Sequence, residues 1–299
     1  MARFGRVVTA MVTPFDSFGA LDLDGARRLA RWLQDHGNDG LVIAGTTGEA
    51  PVLTDDERLS LFAAVIESVT IPVVAGTGTN DTLHSIHMTK EATALGAAGV
   101  LVVTPYYNRP SQAGIAAHMK AVAASTNLPV VMYDIPVRSG RKINTATIVD
   151  LAKNVPNIVA LKDAAGNPGE TASVVANAPS SFEIYSGDDS LTLPLLSIGA
   201  TGVIGVATHW SAPEHQIMFD RWESGDTAGA CRVNQALLPS FAYETGDDAP
   251  NPIPSKVMMN HLGVPVGECR LPMGPPPAFV AERAAKVSAD LEARRAEGF

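Results

Sequence analysis

Ile158-Val159-Ala160-Leu161-Lys162-Asp163 is the stretch whose reading decides the fold, because it describes a buried strand ending in an amine. Its apolar run is long enough for a strand and too short for a helix. Pro156 before it and Ala164-Ala165-Gly166 after it mark the boundaries. Lys162 therefore stands where a strand leaves its sheet. In parallel α/β folds the carboxyl ends of the strands are where ligands bind, so an ammonium there faces a site and not bulk water. Two plainer readings compete with this one: a lysine that snorkels to solvent, or one that pairs with Asp163.

Outward from this stretch, strand-like apolar runs recur at even spacing over 7–12, 41–44, 73–75, 100–103, 130–133, 158–161, 182–185 and 203–207. Segments of helical period follow them at 23–36, 55–69, 82–95, 112–124, 145–152, 170–176, 191–198 and 213–224. Thr54-Asp55-Asp56-Glu57 fits a capping box, and Asn144 stands where the fifth helix needs its N-cap. A βα unit repeated in this way, with near-continuous Val/Ile/Leu strands, predicts a closed (β/α)8 barrel; an open doubly wound sheet is the alternative. Three more helical stretches, 227–243, 253–262 and 278–296, follow the last unit, the final one with Val280, Ala284, Val287 and Leu291 on one stripe. We thus expect a barrel over residues 1–225 and a C-terminal helical extension over 226–299 packed on it.

Composition excludes several function classes. A chain of 299 residues with 46% apolar content has room for one barrel domain with a sizeable core. It contains no apolar run near the ~18 residues of a membrane span, and residues 1–12 lack both an apolar h-region and a small-residue cleavage site. The expectation is a cytoplasmic protein with no membrane partner. The net charge of −9 comes without a basic block, which argues against nucleic acid. Cys231 and Cys269 form no CxxC pair and read as buried thiols. No histidine stands in a ligand pattern; His84 and His87 share a helix face but read as solvated, so no metal is expected.

In a barrel the strand ends converge on one mouth, so residues far apart in sequence meet there. After the second strand comes Gly45-Thr46-Thr47-Gly48-Glu49, whose glycines free backbone N–H groups and whose hydroxyls add donors, a cradle suited to a carboxylate or phosphate. Tyr106 and Tyr107 follow the fourth strand. Tyr133 ends the fifth and, by alternation with Val131, faces the interior that Lys162 faces; the plainer reading is a core aromatic satisfied by backbone. Arg138 stands a few residues on, placed to clamp an acidic substrate or to lie solvated on the rim. Ser186-Gly187-Asp188-Asp189 and the stretch from Gly202 to Gly205 bring backbone close to the mouth.

These parts describe one chemistry. A lysine desolvated among barrel side chains has its pKa lowered, and the free amine can attack a ketone to form a Schiff base. A tyrosine at the same centre can shuttle protons, hydroxyls can relay them to solvent, and a carboxylate pocket selects a 2-keto acid. This chemistry requires neither a metal nor an organic cofactor, and GxGxxG is missing from the sequence.

With those residues assembled, the sequence resembles the lysine-dependent pyruvate aldolase superfamily, most closely its dihydrodipicolinate synthase branch. The likeness runs across nearly the whole chain. It rests on Gly45-Thr46-Thr47-Gly48-Glu49, Thr104-Pro105-Tyr106-Tyr107-Asn108, Tyr133-Asp134-Ile135-Pro136 with Arg138 and Gly140, Leu161-Lys162-Asp163, Ser186-Gly187-Asp188-Asp189 and Asn251-Pro252-Ile253-Pro254. The resemblance implies that Lys162 forms the Schiff base with pyruvate, that Thr47 and its loop amides hold the pyruvate carboxylate, and that Thr46, Tyr107 and Tyr133 relay protons. It further implies that Arg138 binds the carboxylate of L-aspartate 4-semialdehyde and that the Gly187 and Ile204 backbones line the pocket. By the same resemblance, Tyr107 enters a neighbouring subunit's site in a homodimer that pairs into a homotetramer.

One departure bears on regulation. Family members inhibited by lysine carry histidines shortly after the GTTGE loop and a glutamate after the third strand, whereas this chain has Asp55, Arg58 and His84 there; Asn80 and Tyr106 remain. Lysine feedback is therefore expected to be weak or absent. Two rivals to the synthase reading stand: a relative using the same imine with another aldehyde, such as N-acetylneuraminate lyase or a 2-keto-3-deoxy sugar acid aldolase, and a non-catalytic binding barrel. Thr46-Thr47, Tyr107 and Arg138 favour the synthase, because a short anionic intermediate calls for cationic and hydroxyl partners more than a sugar-binding surface.

Overall fold

The computed structural model describes residues 2–298. Its strands are β1 (Val7–Ala10), β2 (Gly40–Ile43), β3 (Val73–Gly76), β4 (Gly99–Val103), β5 (Val130–Asp134), β6 (Ile158–Asp163), β7 (Glu183–Ser186) and β8 (Gly202–Gly205). All pair in parallel, and Val8 beside Ile204 joins the first strand to the last, closing the barrel. Alternation along each strand builds two cores at once. Val131, Tyr133, Ala160, Tyr185 and Ile204 fill the barrel interior, whereas Met132 and Leu161 pack outward beneath the helices. Because both faces are covered, the strands are mostly aliphatic, with polar residues such as Asp134, Lys162 and Ser186 gathered at their carboxyl ends.

The surrounding helices are α1 (Leu23–Asp35), α2 (Asp55–Ile66), α3 (Thr82–Ala94), α4 (Gln112–Ala123), a short α5 (Pro136–Ser139), α6 (Thr145–Asn154), α7 (Pro168–Asn177), α8 (Thr192–Leu196) and α9 (Thr208–Glu223). The Thr54/Glu57 capping box forms as expected. Asn144 does precede α6, but its side chain makes no capping bond; its backbone N–H instead donates to Gln112 Oε1 at 2.9 Å. The eighth major helix starts at Thr208, earlier than Pro213 announces. Its backbone bends at Ser211, so Pro213 falls in the first turn after the kink, where a missing N–H costs little. The end of the 203–207 run is consequently turn, not strand.

The chain continues through α10 (Thr227–Tyr243), α11 (Ile253–His261) and α12 (Ala278–Glu297). The expected stripe of Val280, Ala284, Val287 and Leu291 is buried against Val233, Leu237 and Phe241 of α10 and Trp210 of α9, in one cluster shared with the barrel. Cys231 is exposed and Cys269 half-buried, so neither is the fully buried thiol expected; Cys231 sits on the outer face of α10. His84 is half-exposed but bound, its Nε2 lying 2.8 Å from Asp55 Oδ1.

Candidate active site

Register brings the reacting residues together. Tyr133 of β5 pairs with Lys162 of β6, and both point into the interior because Val131 and Ala160, two residues earlier, do so. Lys162 is only 4% exposed, with Nζ 4.4 Å from the centre of the Tyr133 ring. It does not snorkel, nor does it pair with Asp163. That carboxylate faces the other way, accepting from Ala165 N–H at 2.9 Å and the Thr171 hydroxyl at 2.6 Å. Burial pushes the Lys162 ammonium down from 10.5 to about 8; Asp189 and Glu244 oppose this and the Arg138 cation adds to it. An amine so placed is neutral in about one molecule in ten at pH 7, far more than an ordinary lysine, and only the neutral form is nucleophilic. Gly187 lies against its stem: a Cβ there would stand 3.0 Å from Lys162 Cγ and press on the lysine.

Tyr133 is buried, with the Thr46 side chain facing its phenol. Burial pushes its phenol up to about 12, so it stays protonated at neutral pH. Thr46 belongs to the turn after β2, whose ends bend sharply at Ala44 (φ 48°) and Glu49 (φ 55°). Non-glycine residues persist in this region only where the surroundings hold them. The holding groups are visible: Thr13 Oγ1 donates to Gly48 O at 2.6 Å, and Glu49 accepts Arg270 N–H at 2.9 Å and meets Lys256 Nζ at 2.7 Å.

Thr46, Tyr107, Tyr133 and Arg138 share the wall of one cavity of about 500 Å³ with Arg58, Tyr106 and Asn251. Thr47 is buried beside it and is reached through Asn251, whose Nδ2 donates to Thr47 Oγ1 at 2.9 Å. Ile204 is fully buried in the same interior cluster as Tyr133. Arg138 is exposed on the rim, its guanidinium donating to Asn251 O at 3.4 Å. Tyr107 is 89% exposed, with φ at 70°. Of the residues singled out from sequence, Thr46, Tyr107, Tyr133 and Arg138 line this cavity, Tyr107 with most of its side chain exposed, whereas Lys162, Thr47, Gly187 and Ile204 lie outside its lining.

Asn251 is the residue whose role the sequence did not disclose. It stood in the quoted Asn251-Pro252-Ile253-Pro254 stretch, yet nothing local tells that its amide reaches Thr47 and its carbonyl Arg138. Its Oδ1 is buried and has no hydrogen-bond partner among the described residues. This arrangement can bind a small anionic ketone beside a partly neutral amine and a buried proton donor.

Residues 3–293 match the Dihydrodipicolinate synthetase family. The chain is 48% identical to the 4-hydroxy-tetrahydrodipicolinate synthase of Moorella thermoacetica over 91% of its own length and 92% of the relative's. The crystal structure of the Cyanidioschyzon merolae enzyme with lysine bound superposes with a TM-score of 0.95 at 40% identity, covering 98% and 99% of the two chains. A structure described as the first monomeric dihydrodipicolinate synthase variant superposes with a TM-score of 0.93 at 35% identity, covering 97% of each.

Proposed function

The chain belongs to the dihydrodipicolinate synthetase family, and from that premise we propose that Lys162 is the amine through which it works. The reaction is the condensation of pyruvate with L-aspartate 4-semialdehyde to 4-hydroxy-tetrahydrodipicolinate, a lyase activity of lysine and diaminopimelate biosynthesis. Neutral Lys162 attacks the pyruvate ketone carbon, Tyr133 supplies the proton that lets water leave, and an iminium results. Loss of a methyl proton gives the enamine, whose carbon attacks the aldehyde of the second substrate. Attack by that substrate's own amine on the imine carbon then frees Lys162.

The observation that carries this reading is a buried lysine with no carboxylate within ion-pair distance among the described residues, packed on the ring of a protonated tyrosine. In the proposed assignment, Thr47 and its loop amides hold the pyruvate carboxylate, Arg138 takes the carboxylate of the aldehyde, and the Gly187 and Ile204 backbones line the pocket. Thr46 and Tyr107 complete the relay. The exposure and left-handed backbone of Tyr107 support its entry into a second copy's site, in a homodimer pairing into a homotetramer. We read residues 1–225 as the barrel and 226–299 as its extension, place the enzyme in the cytoplasm, and expect weak lysine feedback. His84 already occupies Asp55, and Arg58 donates to Gly76 O at 2.6 Å, leaving no carboxylate from these three to receive an effector's ammonium.

Incubation with pyruvate and borohydride tests the central step. A covalent mass increment on Lys162 is expected, and its absence would remove the proposal. Turnover measured with each aldehyde in turn tests the substrate: preference for a sugar aldehyde would displace aspartate semialdehyde.

A further inference from the structure

The edge of the cavity carries arginines that no carboxylate neutralises. Arg109 stands in the loop after β4, while Arg138 and Arg141 stand at and just after the end of α5. None of the three makes an ion pair among the described residues. Lys142, the next residue, is engaged: its Nζ pairs with Glu170 of α7 and lies 3.8 Å from Asp134 at the end of β5. The arginines are in contact with one another's loops. Arg141 Nη2 donates to Arg109 O at 3.1 Å, and the Arg109 stem runs beside Gly140, where a Cβ would stand 3.6 Å from its Cγ and 3.9 Å from its Nε. Gly140 ends α5, the helix that carries Arg138. The two loops thus meet at the cavity, whose wall includes Tyr106 and Tyr107 of the first and Arg138 and Ser139 of the second.

Local structure does not account for the charge on Arg109. Its side chain is exposed and makes no hydrogen bond among the described residues. Its backbone is left-handed at φ 45°, as is that of Tyr107 at φ 70°, and the turn is held by other groups: Asn108 Nδ2 donates to Asn80 O at 2.9 Å, and Arg141 reaches Arg109 O. A strained, braced loop therefore keeps on this edge a guanidinium that braces nothing itself. The chain as a whole, with its net charge of −9, repels an anion such as pyruvate. Cations without counter-charges at the mouth reverse that field locally and raise the concentration of a small anion there. The effect fades as salt shortens the Debye length from about 30 Å at 0.01 M to about 3 Å at 1 M.

We infer that Arg109, with Arg138 and Arg141, forms a cationic collar through which the cavity selects a 2-keto acid over an uncharged ketone, Arg109 acting by its charge alone. The inference rests on the reading of Lys162 as the amine that meets the ketone. Arg138 is proposed to take the carboxylate of the aldehyde, whereas Arg109 has no part in that chemistry and determines specificity only.

The experiment compares pyruvate with methyl pyruvate, which keeps the ketone and loses the charge. Adduct formation below saturation, with cyanoborohydride in excess, is followed by intact mass at about 0.01 M and about 1 M salt in wild type, Arg109→Gln, Arg109→Glu and Arg109→Lys. At low salt the pyruvate rate should fall about threefold in Arg109→Gln and about tenfold in Arg109→Glu, one step for each unit of charge removed, and stay within about 1.5-fold of wild type in Arg109→Lys. At high salt the differences should shrink below about 1.5-fold, and the methyl pyruvate rate should hold within about 1.5-fold throughout. Equal falls for both ketones, a fall in Arg109→Lys as large as in Arg109→Gln, or a fall that salt leaves intact overturns the inference, because each reads a contact or a fold and not a charge. An unchanged pyruvate rate in Arg109→Glu overturns it as well; should that variant fail to fold, Arg109→Gln and Arg109→Lys decide. A wild type that traps neither ketone sinks the Lys162 reading instead. The collar is then judged by calorimetric binding of pyruvate at low salt: weaker binding to Arg109→Gln than to wild type upholds it, and equal or absent binding overturns it.

Discussion

Two lysines are buried among the described residues, and their surroundings differ in one respect. Lys162 at the end of β6 rests against the Tyr133 ring, with no carboxylate in ion-pair contact among the described residues. Lys256 in α11, 1% exposed, rests against the Phe15 ring but also meets Glu49 at 2.7 Å and donates to Glu268 O at 2.9 Å. Burial lowers the pKa of both, and at Lys256 Glu49 opposes it. The partner decides what a buried amine does. Without one it can lose its proton and attack; with one it fastens the turn that carries Thr46 and Thr47 to the C-terminal extension.

The sharpest way to break this contrast is to replace each lysine by methionine. Lys162→Met should lower turnover by at least about 10³-fold, since no other group can take over a covalent step. Turnover within tenfold of wild type would dissolve the distinction. Lys256→Met leaves Glu49 as a lone buried charge and should cost about 3–5 kcal/mol of stability in denaturant unfolding. Glu49→Gln added to it should recover part of that loss. Recovery of none would mean that the pair contributes through packing and not through charge.

The contrast sharpens with pH. The fall of Lys162 from 10.5 to about 8 corresponds to on the order of 3 kcal/mol of stability given up in the charged state. Between about pH 8 and 10.5 the unfolded chain keeps a proton there that the folded chain has released, so this contribution rises with pH through that window. Lys162→Met should therefore be more stable than wild type at neutral pH and lose that advantage as pH climbs to 10.5. Chemical unfolding at three pH values would check it; a constant difference would show that the methionine gain comes from packing alone.

The two lysines were not equally legible in the sequence. Lys162 announced itself because its strand is local: six residues, a proline before and small residues after, fix both the element and the face by alternation. The barrel and the α12 stripe follow from the same kind of short-range periodicity. The Lys256–Glu49 pair and the Asn251–Thr47 bond left no such mark, because both join the C-terminal region to a distant strand end through side chains alone. The start of α9 escaped for a related reason: the kink at Ser211 and the proline after it hide a first turn whose capping carboxylates come from elsewhere in the chain.

Asn251 tests which side of the contrast the turn after β2 belongs to. Its Nδ2 donates to Thr47 Oγ1 at 2.9 Å, so the Thr47 hydroxyl hydrogen is free to point at a bound carboxylate, and its carbonyl meets Arg138. Asn251→Ala removes the donor without touching Lys162 or Tyr133. The loss of one hydrogen bond of this kind is worth about 1 kcal/mol, so KM for pyruvate should rise roughly three- to tenfold while kcat changes less. Imine trapping at saturating pyruvate should still reach completion. Were kcat to fall with KM unchanged, Asn251 would be acting on the chemistry that Lys162 performs, and the division between a reacting strand end and a fastened binding turn would no longer hold.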